Sequence, residues 1–290
     1  MENFSKALEI QPEMTSIRFD YGNLLADNGQ TDEALTQYEE YIKTNKDNDA
    51  AYLNAGILYS QKTDYTNAQR ILEQGRTLSP KNIEIQKELA KAYHLDKKYD
   101  KAIEIYDVLL ASMPDDRDLL LNKAVAYHAQ KKYSEAIEIY KSILTKDSSD
   151  KKVFDYLLKA YIAQGDTLYG EGNYRKAVSS YESALKMDGE NSLLYINIAN
   201  AYDKLGSKSK VTEYYEKALE ISPDNAELLS SYAKMLTKYD KNDDARIVYE
   251  KAMASPSATS EDRYNYYVDM ADSYYKAKDY ENAQIGRAHD

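Results

Sequence analysis

A chain of 290 residues, 43% of them hydrophobic and 30% charged, can bury a sizeable core or form two average domains. Its net charge of −11 argues against binding to a phosphate backbone, which needs clustered Lys and Arg, and no apolar run reaches the ~18 residues of a membrane span. Cysteine is absent, which excludes a disulfide framework and a thiolate zinc site.

With only 10 Gly and 5 Pro the chain lacks the punctuation of an all-β fold, and long helices with short turns fit better. There are 30 Tyr against three Phe and no Trp, so Tyr carries nearly all the aromatic packing. The opening MENFSKALEIQPE is amphipathic and acidic, unlike the basic start and apolar core of a signal peptide. It reads as a lone helix over Glu2–Met14, with its partner helix missing.

Further along, KKYDKAIEIY at Lys97–Tyr106 returns as KKYSEAIEIY at Lys131–Tyr140, 34 residues later. Extending that interval in both directions gives units that start near Thr15, Asp49, Ile83, Arg117, Leu158, Ser192, Ala226 and Tyr264. Position 8 of this frame is always small: Gly22, Gly56, Ala90, Ala124, Gly165, Ala199, Ala233 and Ala271. Position 20 holds Ala34, Ala68, Ala102, Ala136, Ala177, Val211, Ala245 and Ala283. Position 24 holds Tyr38, Leu72, Tyr106, Tyr140, Tyr181, Tyr215 and Tyr249. Apolar residues at i, i+3, i+4 and i+7 predict two amphipathic helices per unit, joined by a short polar turn. The small residues allow close backbone approach, and the ring at position 24 fills the space beside them. Pro12, Pro80, Pro114, Pro223 and Pro256 fall at or next to one frame position, where they stop the second helix. An Asn, Asp or Ser after them can cap the next one.

The predicted organisation is a partial repeat over 1–14, units one to four over 15–150 and units five and six over 151–225. Unit seven follows over 226–259, and an incomplete unit eight over 260–284. Two insertions interrupt the frame. KKVFDYL, Lys151–Leu157, adds close to two helical turns ahead of the fifth unit and predicts one long helix over 151–170. SPSATSED, Ser255–Asp262, reads as a polar linker that loosens the last unit. The closing IGRAH, Ile285–His289, resembles the translation of a sequencing adapter, so 285–290 is expected to be non-native. The abundance of Lys, Asn and Tyr points to an AT-rich bacterial genome, and the sequence leaves the compartment open.

The frame resembles the tetratricopeptide repeat (TPR) family, whose helix–turn–helix unit has this length. Position 4 departs from it, because the family's Trp is replaced by Tyr52, Tyr161, Tyr195 and Tyr267 or by Leu120 and Leu229. The resemblance implies an all-α fold, a right-handed α-solenoid superhelix of antiparallel helix pairs. It also implies a non-catalytic scaffold that binds a peptide or protein segment in a concave groove lined by the first helices. The alternative is the substrate-recruiting arm of a larger enzyme, a glycosyltransferase or a membrane-associated protease. Uncapped solenoid ends would also offer apolar surface to a second copy.

Chemistry is sparse. GEGNY, Gly170–Tyr174, sits at a helix–helix turn and lacks the following Lys of a phosphate loop. No catalytic, cofactor or metal constellation is expected. His94 and His128 share position 12 in neighbouring units, without a carboxylate at matching positions to complete a metal site. The groove candidates are therefore polar side chains of the first helices, His94 and His128 among them. Asn54, Asn122 and Asn197 occupy position 6, and Asn200, with Asn23, occupies position 9. An Asn amide both donates and accepts, which suits the main chain of an extended peptide. Some family members hold a C-terminal carboxylate with a Lys and Asn set. Against that set Lys87, Asn122 and Lys159 match, while Lys91 and Ala163 replace two members.

Overall fold

In the computed structural model, which describes residues 2–11 and 14–285, the frame becomes a succession of antiparallel helix pairs. Pro12 and the tail residues 286–290 lie outside the described residues. The helices are α1 (Glu2–Ile10), α2 (Arg18–Asp27), α3 (Thr31–Thr44), α4 (Asp49–Gln61), α5 (Tyr65–Leu78) and α6 (Ile83–Leu95). There follow α7 (Tyr99–Ser112), α8 (Arg117–Ala129), α9 (Tyr133–Lys146), α10 (Lys151–Gly170), α11 (Tyr174–Leu185) and α12 (Ser192–Lys204). The series ends with α13 (Lys208–Ile221), α14 (Ala226–Lys238), α15 (Asn242–Ala254), α16 (Ser260–Lys276) and α17 (Tyr280–Ile285). No strand occurs among the described residues, and none of their helices is long and apolar enough to cross a membrane. Two compact units divide the chain, Met1–Val153 and Phe154–Asp290, with the boundary inside α10.

One backbone device recurs in every pair. Position 15 of each unit, between first and second helix, has positive φ: Gly29, Thr63, Lys97, Lys131, Gly172, Gly206, Asp240 and Lys278. The next residue donates its N–H back to the carbonyl five residues earlier. Lys98 bonds Tyr93 at 2.9 Å, Lys132 bonds Tyr127 at 2.9 Å, and Ser207 bonds Tyr202 at 3.0 Å. This is a Schellman closure, which satisfies orphan carbonyls at the end of the first helix and reverses the chain within three residues. Five of the eight positions carry a β-carbon where glycine would be unstrained.

Packing follows the frame. The position-20 side chains Ala34, Ala68, Ala102, Ala136, Ala177, Val211 and Ala245 are all fully buried. Within the first unit Tyr38 and Leu72 lie in apolar clusters, and in the second Tyr181, Tyr215 and Tyr249 share one cluster. A β-carbon on Gly22 would stand 2.8 Å from Tyr38 Cε1, one on Gly56 2.4 Å from Leu72 Cγ, and one on Gly165 2.4 Å from Tyr181 Cε1. Helices α5, α7 and α13 end two residues before Pro80, Pro114 and Pro223. Asn48, Asn82, Asp116 and Asn225 cap the first helices that follow, each accepting from backbone N–H groups two or three residues on.

The two insertions both extend a first helix. Helix α10 runs for 20 residues, and Val153 and Leu157 in its added turns are 0% and 6% exposed. The SPSATSED segment is not a loosening linker. Its second half is an extra turn at the start of α16, closed by a capping box in which Thr259 and Asp262 satisfy each other's backbone N–H. Its first half is tied down as well, with Ser257 Oγ donating to the Asp224 carbonyl at 3.0 Å. Ser, Thr and Asp favour loops and caps for the same reason, their affinity for nearby backbone groups, and here the cap wins.

The turn makes a direct prediction. A non-glycine residue in the left-handed region costs about 1–2 kcal/mol, and glycine loses about 0.5–1 kcal/mol of unfolded-state entropy. We expect Lys131→Gly to stabilise the chain by about 0.5–1 kcal/mol. Gly206→Ala should destabilise it by about 1 kcal/mol, both read from urea unfolding followed by circular dichroism. Stability that falls in Lys131→Gly would contradict the assignment.

Candidate functional site

The first helices present the side chains singled out in the sequence, and their surroundings differ sharply. In the first unit Asn54, on α4, donates its amide to Asn23 Oδ1 at 3.0 Å, and Tyr38 donates its hydroxyl to the same oxygen at 2.7 Å. These bonds link α2, α3 and α4. In the second unit Asn200 accepts from Tyr215 at 3.4 Å, and Asp166, at the same frame position, accepts from Tyr181 at 2.8 Å. In these three repeats position 9 thus supplies an acceptor to the buried ring at position 24. The structure gives Asn54 and Asn200 work inside the helix stack.

Other candidates keep more of their hydrogen-bonding capacity. Asn122 on α8 is exposed and Asn197 on α12 half-buried, and neither amide has a hydrogen-bond partner among the described residues. Lys159 on α10 is exposed without an ion pair among them. Lys91 lies 3.2 Å from Glu88, and Lys87 only loosely approaches Glu84 at 3.9 Å and Asp116 at 3.8 Å. Such exposed pairs are weak and break readily.

His94 and His128 belong to the turn. The His94 ring stands edge-on to Tyr99 at 5.4 Å, and His128 edge-on to Tyr133 at 5.2 Å. Tyr169 with Tyr174 at 5.3 Å, and Tyr275 with Tyr280 at 5.5 Å, repeat the contact at the same frame positions. A ring at position 12 therefore clasps the Tyr at position 17 across each of these turns. That pairing was visible in the frame, where every ring at position 12 is followed by Tyr at position 17. Burial lowers the pKa of His94 from its ordinary 6.5. Among the described residues no group of three His, Cys, Asp or Glu could hold a metal ion.

One feature was not legible in the sequence. In the second unit a cleft of about 820 Å³ opens between α14 and α16, lined by Glu227, Ser230, Ser231, Lys234, Asn265 and Asp269 among others. These are positions 2, 5, 6 and 9 of unit seven and positions 2 and 6 of unit eight, the frame positions expected to line a groove. Serine at positions 5 and 6 of unit seven gives no signal in a one-letter sequence. The added turn of α16 brings Asp262 to the cleft as well.

An all-α chain of helix pairs with small residues at two fixed positions and a helix-lined groove is a helical repeat protein. Profiles of the tetratricopeptide repeat match residues 19–68, 59–126, 94–160, 158–191 and 192–225, well over half of the sequence. The chain belongs to the tetratricopeptide repeat family. Over 111 residues it is 34% identical to the cell division cycle protein 27 homolog A of Arabidopsis thaliana, a match covering 38% of this chain and 15% of the relative. In fold it is similar to a chain in the structure of Naa15/Naa10 bound to HypK-THB, with a TM-score of 0.67 at 17% identity. That likeness covers 94% of this chain and 42% of the other. A second similar structure is the C-terminal part of a TPR repeat-containing protein from Cytophaga hutchinsonii. Its TM-score is 0.51 at 17% identity, covering 84% of this chain and 97% of that one.

The turn clasp carries a pH prediction. Because the folded pKa of His94 lies below its ordinary 6.5, the unfolded chain takes up the proton first as pH falls. The stability contributed by neutral His94 is complete above about pH 6.5 and is lost progressively below it, as pH falls toward and through the lower folded pKa. We expect His94→Tyr, which installs the ring used at Tyr169 and Tyr275, to flatten the pH dependence of urea unfolding between neutral and mildly acidic buffer. An unchanged slope would contradict the clasp.

Proposed function

We propose that the chain is a non-catalytic scaffold that holds an extended segment of a partner protein along the faces of its first helices. Tetratricopeptide repeats form protein-interaction scaffolds, and concave helix faces are the surfaces such arrays use. The observation that carries the reading is the pair Asn122 and Asn197. Both stand at position 6 of a first helix, in units four and six, and neither amide has an intramolecular partner among the described residues. Asn is a poor residue inside a helix, and at these two positions no fold-internal bond compensates for it. An amide in that setting can pair with a peptide main chain through one donor and one acceptor, without reading its sequence. Lys87 and Lys91 supply positive charge on first helices of the compact unit Met1–Val153, where Asn54 bonds within the stack. Lys159 does so in Phe154–Asp290, where Asn200 bonds within it.

The test is a binding measurement on the full chain. Peptides selected on an array should bind the double variant Asn122→Ala, Asn197→Ala about tenfold more weakly, with an unchanged far-ultraviolet spectrum. Equal affinity of the variant and the parent would overturn this placement of the groove.

A further inference from the structure

The cleft between α14 and α16 has a chemistry that the position-6 asparagines do not share. Two hydroxyls at its surface are more than nine-tenths buried as residues yet lack partners. Ser230 is 5% exposed and Tyr266 6% exposed, both line the cleft, and neither side chain forms a hydrogen bond among the described residues. Neither oxygen is among the fully buried unpaired atoms, so both open on the cleft and can bond whatever occupies it.

Three carboxylates surround these hydroxyls. Glu227 is exposed and has no hydrogen bond or ion pair among the described residues. Asp262 spends Oδ2 on the α16 cap, bonding Thr259 N at 2.9 Å and Oγ1 at 2.6 Å. Asp269 pairs with the cleft's one cation, Lys234, at 3.0 Å. Arg263 donates its guanidinium to the carbonyls of Met253 and Ser255, although its charge still acts on Asp262. Lys234 therefore pairs with Asp269, Asp262 feels Arg263 only through space, and Glu227 has no cationic partner among the described residues. Burial raises the pKa of the Tyr266 hydroxyl, and Asp262, Glu227 and Asp269 push it further up, so the negative potential of all three reaches the cleft floor.

We infer that this cleft takes a lysine or arginine side chain from an extended peptide segment, its cationic N–H groups meeting Glu227, Asp262 and the hydroxyls of Ser230 and Tyr266. The inference rests on the scaffold reading above and names the chemistry of the segment. Both hydroxyls can accept hydrogen bonds, and the carboxylates of Glu227 and Asp262 strengthen bonds from a charged donor. The net charge of −11 would also steer a basic segment toward the chain.

The experiment uses the full chain and fluorescein-labelled short Gly/Ser peptides carrying one central Arg, Lys, Glu or Gln, titrated by fluorescence anisotropy. The Arg and Lys peptides should bind about tenfold more tightly than the Glu peptide. Glu227→Lys, at an exposed position with no internal bond, should abolish that preference while the far-ultraviolet spectrum stays the same. Asn197→Ala should weaken all four peptides alike. Equal affinity for the four peptides overturns the inference and leaves the scaffold reading standing. A preference that survives Glu227→Lys overturns its placement in this cleft. If no peptide binds, both readings fail.

Discussion

The approach of the first-helix backbone at position 8 to the side chain at position 24 controls the rest of each helix pair. Where position 8 is glycine, the ring can slide across the helix and reach the side chain one residue on. Tyr38 then meets Asn23 at 2.7 Å and Tyr181 meets Asp166 at 2.8 Å. Where it is alanine, as beside Tyr215, the corresponding bond to Asn200 stretches to 3.4 Å. The bare backbone thus accompanies the two shorter bonds, one to an amide and one to a carboxylate. Burial makes that consequential, since these Tyr hydroxyls sit where an unpaired polar group is costly. Tyr215, for example, has its pKa pushed up to about 12, chiefly by desolvation.

This contact also sorts the first helix into an inward and an outward face. Position 8 turns toward the second helix, as does position 9 at Asn23, Asp166 and Asn200. Glu227, Ser231, Asn122 and Asn197 at positions 2 and 6 remain for outside partners. The aromatic clasp between positions 12 and 17 and the left-handed residue at position 15 then return the chain within a fixed, short turn. The left-handed residue recurs in all eight repeats and the clasp in four of them, so each pair is specified largely by local contacts. Repeats built from local contacts of this kind gain stability from each pair and from its interface with the neighbouring pair.

Much of this was legible in the sequence because spacing encodes it. The 34-residue interval, the small residues and the prolines place each helix and its stop without reference to the partner helix. What failed was orientation and context. Asn54 and Asn200 read as groove residues because one letter does not say whether an amide faces a peptide or a tyrosine. His94 and His128 read as a groove pair because their partner, the Tyr at position 17, lies across the turn and not on the same helix. SPSATSED read as a linker because a capping box uses the same residue types as a loop. The α14–α16 cleft was hidden for a further reason: its buried hydroxyls are Ser and Tyr, which a sequence counts as ordinary packing and solvated residues.

Groove chemistry and fold stability are therefore separable in this chain. The residues that hold the pairs together lie mainly at positions 8, 12, 15, 17, 20 and 24, whereas positions 6 and 9 serve the stack in some repeats and the binding face in others. The central claim is that the bare backbone at position 8 lets the ring settle, and Gly165→Ala tests it most directly. A β-carbon there would stand 2.4 Å from Tyr181 Cε1, so the ring must move off Asp166. Urea unfolding should show a loss of about 1–3 kcal/mol despite alanine's higher helix propensity. Unchanged or increased stability in Gly165→Ala would contradict it.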